Sequence, residues 1–123
     1  MFELSQSFTF DAAHTLKRLV SPEEAAGSRR IHGHTYTAEV AVSGTRQLDT
    51  GMVMDLSVLR ASLAEVRGQL DHHLLDEVAG LGTPTLENLC VFIFDQASAR
   101  LPNVSMVSVS RAAGDRCVYR PRA

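Results

Sequence analysis

The order of periodicities along this chain predicts an α+β fold, a four-stranded antiparallel sheet with two helices on one face, in the order β-β-α-α-β-β. Three observations carry this. Two long N-terminal stretches alternate apolar and polar residues with a period of two. Two middle stretches place apolar residues three and four apart, each behind a capping residue. Two short valine-containing stretches close the chain. A length of 123 residues suits one domain, 1–123.

Residues 2–14 read as the first strand. Their even positions are Phe2, Leu4, Gln6, Phe8, Phe10, Ala12 and His14, and the odd ones are mostly polar. Residues 15–30 read as a loop holding Lys17-Arg18, Ser21-Pro22-Glu23-Glu24 and Gly27-Ser28-Arg29-Arg30, where Pro22 can open one helical turn. Residues 32–43 are the second strand. From His34 the even face continues through Tyr36, Ala38, Val40 and Val42, against Thr35, Thr37, Glu39, Ala41 and Ser43. Gly44 to Gly51 is a connecting turn, and Met52-Val53-Met54 leads to Asp55.

Asp55 has the character of an N-cap, because its side chain can accept from free backbone N–H groups of the first turn. Leu56, Leu59, Leu63, Val66 and Leu70 follow on one helical face, with Arg60 and Arg67 on the other and Gly68 weakening the last turn. Leu70-Asp71-His72-His73-Leu74-Leu75-Asp76 is a polar cluster held between leucines, and Gly80 to Pro84 is a loop. Thr85 or Thr83 caps the second helix, whose stripe is Leu86, Leu89, Cys90, Ile93, Ala97 and Leu101; Pro102-Asn103 stops it. Val104 to Arg111 is the third strand, Gly114-Asp115 a turn, and Arg116 to Tyr119 the fourth strand. Helices on one side leave the other face of the sheet open. Long first strands with partly polar faces then predict a sheet that joins others in an oligomer, as a closed barrel of several subunits.

Composition excludes several classes. The chain is 45% hydrophobic and 21% charged, the balance of a soluble globular protein. No apolar run approaches the ~20 residues of a membrane span. Met1 to Ser5 offers neither a basic n-region nor a cleavable apolar core, so no signal peptide is expected. A net charge of −2 gives no overall footprint for nucleic acid. Cys90 and Cys117, in a helix and a strand, suggest no disulfide framework, which predicts a reducing, cytoplasmic setting.

Chemistry concentrates at His32-Gly33-His34. Two histidines two apart on a strand face the same way, and the glycine between them lets the backbone approach a bound group. A single histidine on an apolar face is usually a core residue satisfied by one hydrogen bond. His14, in phase on the neighbouring strand, changes the balance: if the two strands pair, three imidazoles converge. Three neutral imidazoles with one open position are the ligand set of a catalytic zinc. Lys17, Arg18, Arg29 and Arg30 crowd the loop between these ligands, as solvated charge or as partners for a phosphate chain.

Five motifs stand in order: Phe10-Asp11-Ala12-Ala13-His14, His32-Gly33-His34, Gly51-Met52-Val53-Met54-Asp55, Leu70-Asp71-His72-His73 and Pro84-Thr85-Leu86-Glu87-Asn88. Together they resemble the 6-pyruvoyl-tetrahydropterin and 6-carboxy-tetrahydropterin synthase family over essentially the whole chain. The resemblance implies the tunnelling fold, assembled as a trimeric barrel or a hexamer of two trimers. It implies zinc on His14, His32 and His34, and dihydroneopterin triphosphate or a close relative as substrate. It implies a lyase that removes triphosphate and rearranges the side chain, with release of acetaldehyde in the carboxy branch toward queuosine-type modified bases. Asp71 and His72 would be the acid/base pair, an aspartate fixing the tautomer of a histidine. The plain alternative for the pair is a helix C-terminal cap. Thr85, Glu87 and Arg111 would lie against the substrate, although a carboxylate such as Glu87 is favoured in a first helical turn in any case.

Two positions depart from the family pattern. Ser28 stands where the family has the catalytic cysteine of Cys-x-x-x-His-Gly-His, and a serine hydroxyl is no comparable base without an activating group. Arg111 stands where the third strand of family members ends in a glutamate that grips the pterin's N–H groups. Arginine carries only donors and would meet donors with donors, unless the strand end is misaligned and Asp115 substitutes. These departures also admit a diverged zinc-binding paralogue with another ligand or no catalysis.

Overall fold

A computed structural model describes residues 1–15 and 31–121 of the chain. The expectations for Pro22, for Ser28 and for Lys17, Arg18, Arg29 and Arg30 lie outside the described residues.

Strand β1 (Phe2–His14) pairs antiparallel with β2 (His32–Gly44) in one register, from Phe2 opposite Gly44 to His14 opposite His32. The period-two pattern explains the pairing. Phe10, Ala12, Tyr36, Ala38, Val40 and Val42 all go to the buried face. Strand β3 (Val104–Arg111) pairs with the far side of β2, and β4 (Arg116–Tyr119) pairs with β3, giving the order β1-β2-β3-β4. The β2–β3 register shifts between Ala41 and Val42, a bulge at which Ser105 Oγ donates to the Ala41 carbonyl at 3.4 Å.

Helix α1 (Leu56–Gly68) starts where expected, because Asp55 accepts from the Ser57 N–H at 2.8 Å. It buries Leu59, Leu63 and Val66. Helix α2 (Leu86–Ser98) is capped by Thr85, whose hydroxyl accepts from the Asn88 N–H at 3.1 Å; Thr83 instead offers its carbonyl to Asn88 Nδ2 at 2.8 Å. Both apolar stripes overrun their helices. Leu70 and Leu101 lie beyond the last helical residues and are still buried. The stripe reports which residues reach the core, and a turn residue reaches it as well as a helical one. A short 3₁₀ turn at Leu75–Glu77 adds an element that periodicity does not signal, being too short to show one. Among the described residues, no helix is long and apolar enough to cross a membrane.

Both helices cover one face of the sheet, and their buried side chains share one core with the even positions of β1 and β2. On the opposite face Ser5 Oγ donates to Glu39 at 3.0 Å and Arg116 stands 3.8 Å from Glu39, while the paired Ala41 and Met106 on that face are buried. Residues 70–74 run back against the end of β1. The His72 N–H donates to the Asp11 carbonyl at 2.7 Å, the Ala13 N–H donates to the His73 carbonyl at 3.2 Å, and Ala13 bridges Leu74. Buried Leu70 anchors this segment, so the polar cluster meets the sheet at its histidine end.

Candidate active site at the histidine end of the sheet

The β1–β2 register puts His14 opposite His32, and His34 opposite Ala12 on the same face. The ring centroids of His14 and His34 are 4.9 Å apart with planes 22° from parallel, and those of His14 and His32 are 6.1 Å apart. His34 in turn packs edge-on against Tyr36, which stacks on Phe10 at 4.9 Å. His14 is 5% exposed. Its Nδ1 lies 3.4 Å from the Thr15 carbonyl, which can only accept, so Nδ1 carries the hydrogen. Its Nε2 is buried with no partner among the described residues. Burial holds the His34 ring below the ordinary histidine pKa, and the neighbouring His14, Arg111 and His32 push the same way. A neutral ring keeps the lone pair that a metal needs. A buried lone pair at the centre of three imidazoles fits a zinc ligand set.

Asp76 supports His14 from a distance in sequence. It accepts from the Thr15 N–H at 2.8 Å and from the Thr15 hydroxyl at 2.5 Å. Burial alone would raise the Asp76 carboxyl, but these hydrogen bonds outweigh it and hold it below the usual carboxylate range.

On the β1 side stand Asp71 and His72. Asp71 Oδ1 accepts from the Asp11 N–H at 2.9 Å; Oδ2 lies 2.9 Å from His72 Nδ1 and 3.1 Å from Arg67. The Asp11 N–H chiefly, then His72 and Arg67, holds Asp71 below the usual carboxylate range against a partial burial cost. An ionised carboxylate only accepts, so His72 Nδ1 is the donor and Nε2 is left as the base. The His72 side chain is 79% exposed, and its backbone is left-handed at φ 59°. Such a conformation is uncommon for a residue with a Cβ and persists where surrounding bonds impose it. Part of the helix-cap alternative stands, since the Asp71 N–H donates to the Arg67 carbonyl of the last helical turn at 2.8 Å. Helix α1 already ends at Gly68 with Gln69 as its cap, and the His72 N–H belongs to β1. The ligand atoms of Asp11, Asp71 and His72 all lie within 4.8 Å of one another. Thr35 Oγ1 donates to Asp11 Oδ1 at 2.6 Å, so one oxygen of this carboxylate is engaged. A depression of about 540 Å³ connects this side to the histidines, with His34 and His72 both in its wall. A Cβ at Gly33 would meet nothing within 4 Å, so the glycine leaves open space there.

On the α2 side lies a smaller pocket of about 190 Å³, lined by His14, Tyr36, Pro84, Thr85, Leu86, Glu87 and Arg111. The Arg111 guanidinium pairs with Asp115, and the Arg111 N–H donates to the Asp115 carbonyl at 3.0 Å. Asp115 is therefore engaged with Arg111. Arg111 Nε is buried with no partner among the described residues. Cys90 cannot replace the missing thiol. Burial, with Cys117 beside it, pushes its thiol up to about 12, and its Sγ faces the Cys117 carbonyl at 3.5 Å.

Asp76, Arg67 and Asp11 act as supports that the sequence does not signal. The helical pattern places Arg67 only on an outer face, yet its Nε donates to the Thr9 carbonyl at 2.6 Å. No local pattern announces such long-range partners.

A family model described as 6-pyruvoyl tetrahydropterin synthase matches residues 3–122. The 6-carboxy-5,6,7,8-tetrahydropterin synthase of Synechocystis sp. is 37% identical over 115 residues, covering 89% of this chain and 85% of that protein. The protein of the same name from Bacillus subtilis is 33% identical over 133 residues, covering 98% and 86%. The structure of Caenorhabditis elegans 6-pyruvoyl tetrahydropterin synthase superposes with a TM-score of 0.84 at 23% identity, over 97% of this chain and 94% of that one. The architecture is thus the tunnelling fold.

Proposed function

The chain belongs to the 6-pyruvoyl tetrahydropterin synthase family, and we propose that it is a zinc-dependent lyase acting on dihydroneopterin triphosphate or a close relative. One observation supports the reading: three imidazoles share one face, and the central ring, His14, has a buried Nε2 with no partner among the described residues. His14, His32 and His34 would hold the zinc, which supplies Lewis acidity toward side-chain oxygens of the substrate. His72 Nε2 takes a side-chain proton. Asp71 fixes the His72 tautomer and stabilises the imidazolium that results. Glu87 and Thr85, which line the smaller pocket, would meet the ring. Lys17, Arg18, Arg29 and Arg30 offer donors to the departing triphosphate. Ser28 holds a weaker proton-transfer group than a cysteine, so turnover is modest.

The same reading assembles the chain as a trimer or as a hexamer of two trimers. The edge strands β1 and β4 and the sheet face that the helices leave uncovered support it. A cytoplasmic setting accords with the two unpaired thiols, and the carboxy-named relatives favour the branch toward queuosine-type bases.

Purified protein should carry about one zinc per chain and release triphosphate from dihydroneopterin triphosphate, with acetaldehyde appearing if the carboxy branch applies. His32→Ala should lose both zinc and turnover. Unchanged zinc in that variant would remove the metal site, and a zinc-loaded protein inert toward pterin triphosphates would remove the substrate.

A further inference from the structure

Cys90 and Cys117 lie outside the histidine site, yet they stand close behind one wall of it. Cys90 sits on α2 and is fully buried; Cys117 sits on β4 and is half-buried. They are 27 positions apart in sequence, and the Cys90 Sγ–H donates to the Cys117 carbonyl at 3.5 Å. Cys117 pairs with Val109, which is buried under the helices, so its side chain is on the face that α2 covers. One helical turn past Cys90, Phe94 meets Tyr119, the next residue of β4 on that face, edge-on at 5.4 Å. The two thiols are thus one rung of a regular helix–strand contact. A sulfur that touches the backbone of its partner lies within one side chain's length of the partner sulfur. Glu87 is three positions before Cys90 on the same helical face, and Asp115, which holds Arg111, is two positions before Cys117. Glu87 and Arg111 both line the pocket of about 190 Å³. Burial, with Cys117 beside it, keeps Cys90 a thiol at neutral pH, so an oxidant meets the more open Cys117 first.

We propose that Cys90 and Cys117 are a peroxide-sensitive pair whose disulfide ties α2 to β4 and narrows the pocket between Glu87 and Arg111. The Cys117 sulfur attacks one oxygen of hydrogen peroxide. An S–O bond forms, the O–O bond breaks, and the second oxygen leaves as water with the thiol proton. Cys117 is then a sulfenic acid, oxidised by two electrons, and the peroxide is what is reduced. The Cys90 sulfur next attacks the Cys117 sulfur. The S–S bond forms, the S–O bond breaks, and the hydroxide leaves as water with the Cys90 proton. Two thiols and one hydrogen peroxide give one disulfide and two waters. A covalent S–S bond is shorter than any contact between unbonded sulfurs, so it draws helix and strand together. Strand β4 has four residues and pairs with β3 alone, so it is the element that gives, and Asp115 and Arg111 follow it toward Glu87. In a reducing setting the pair stays as thiols and the pocket stays open. The ligand of that pocket rests on the pterin reading; the bond between the sulfurs does not.

The test treats the zinc-loaded protein with hydrogen peroxide, counts thiols by alkylation and mass, and reads affinity for 2-amino-4-oxopteridine by fluorescence. Both thiols should vanish within single chains lighter by two hydrogens, with one peptide joining Cys90 to Cys117, and dithiothreitol should restore them. Ring affinity should fall by about tenfold or more and return with the thiols, as small displacements of positioning groups cost that much. Cys90→Ala should stall Cys117 as a sulfenic acid that dimedone traps, and its ring affinity should not respond to peroxide. Cys117→Ala, at the less buried position, should leave Cys90 unoxidised. Two intact thiols after peroxide, a disulfide between chains, or Cys117 oxidised past the sulfenic acid beside a free Cys90 would each overturn the pair. A complete Cys90–Cys117 bond with unchanged ring affinity would overturn its control of the pocket. A reduced protein that binds no pteridine would remove the pterin reading, and the thiol count would still decide the pair. Amide hydrogen exchange across 111–119 would then decide the lock, slower in the oxidised protein if it holds and unchanged if it does not.

Discussion

On the β1 side of the three histidines, both Asp71 oxygens are engaged, Asp11 is bonded to Thr35, and His72 has its backbone and one ring nitrogen tied down. On the α2 side, His14 and Arg111 each keep a buried nitrogen with no partner among the described residues. The first side is complete by itself and needs only a proton to move. The second leaves polar atoms unpaired, at about 1–3 kcal/mol each, until a ligand arrives. Under the proposed reading, the proton-transfer groups are preorganised by the chain alone, whereas the binding groups are left for the ligand to satisfy.

Asp71→Asn should break the complete side and leave the other untouched. The amide can donate to His72 Nδ1 and turn the ring to the wrong tautomer, so turnover should fall roughly 10²–10⁴-fold with zinc content and ring affinity unchanged. A parallel loss of zinc would show that the two sides are not independent. The same variant carries a pH signature. The folded Asp71 carboxyl lies below its ordinary value, so its contribution is present above about pH 4 and is lost as pH falls through the folded pKa. The melting-temperature gap between wild type and Asp71→Asn should therefore narrow in acid, and a gap that widens would contradict the hydrogen bonding described.

Ser28→Cys should strengthen proton transfer without touching the binding side. kcat should rise by up to about 10²-fold with KM nearly constant. An unchanged kcat would mean that position 28 takes no part in the reaction.

The smallest effect isolates the backbone of His72. Glycine adopts φ near 59° without the Cβ penalty, so His72→Gly should be more stable than His72→Ala by about 1 kcal/mol in denaturant unfolding, both being inactive. The opposite order would show that surrounding bonds do not impose the left-handed turn.

Much of this architecture is legible in the amino-acid sequence by itself. The even positions of β1 and β2, the phase of His14 with His34, and the caps at Asp55 and Thr85 follow from rules that act within a few residues. Side-chain alternation and capping are local, so the sequence carries them openly. Tertiary structure alone decided the rest of the site. Asp11 meets Asp71 across 60 positions and Thr15 meets Asp76 across 61. Leu70 and Leu101 enter the core from turns, His72 is held left-handed, and Arg111 turns one nitrogen to Asp115 and keeps another beside His14 without a partner among the described residues. Each of these depends on which distant groups the fold brings within hydrogen-bond reach, and a donor has no partner until the chain has closed around it.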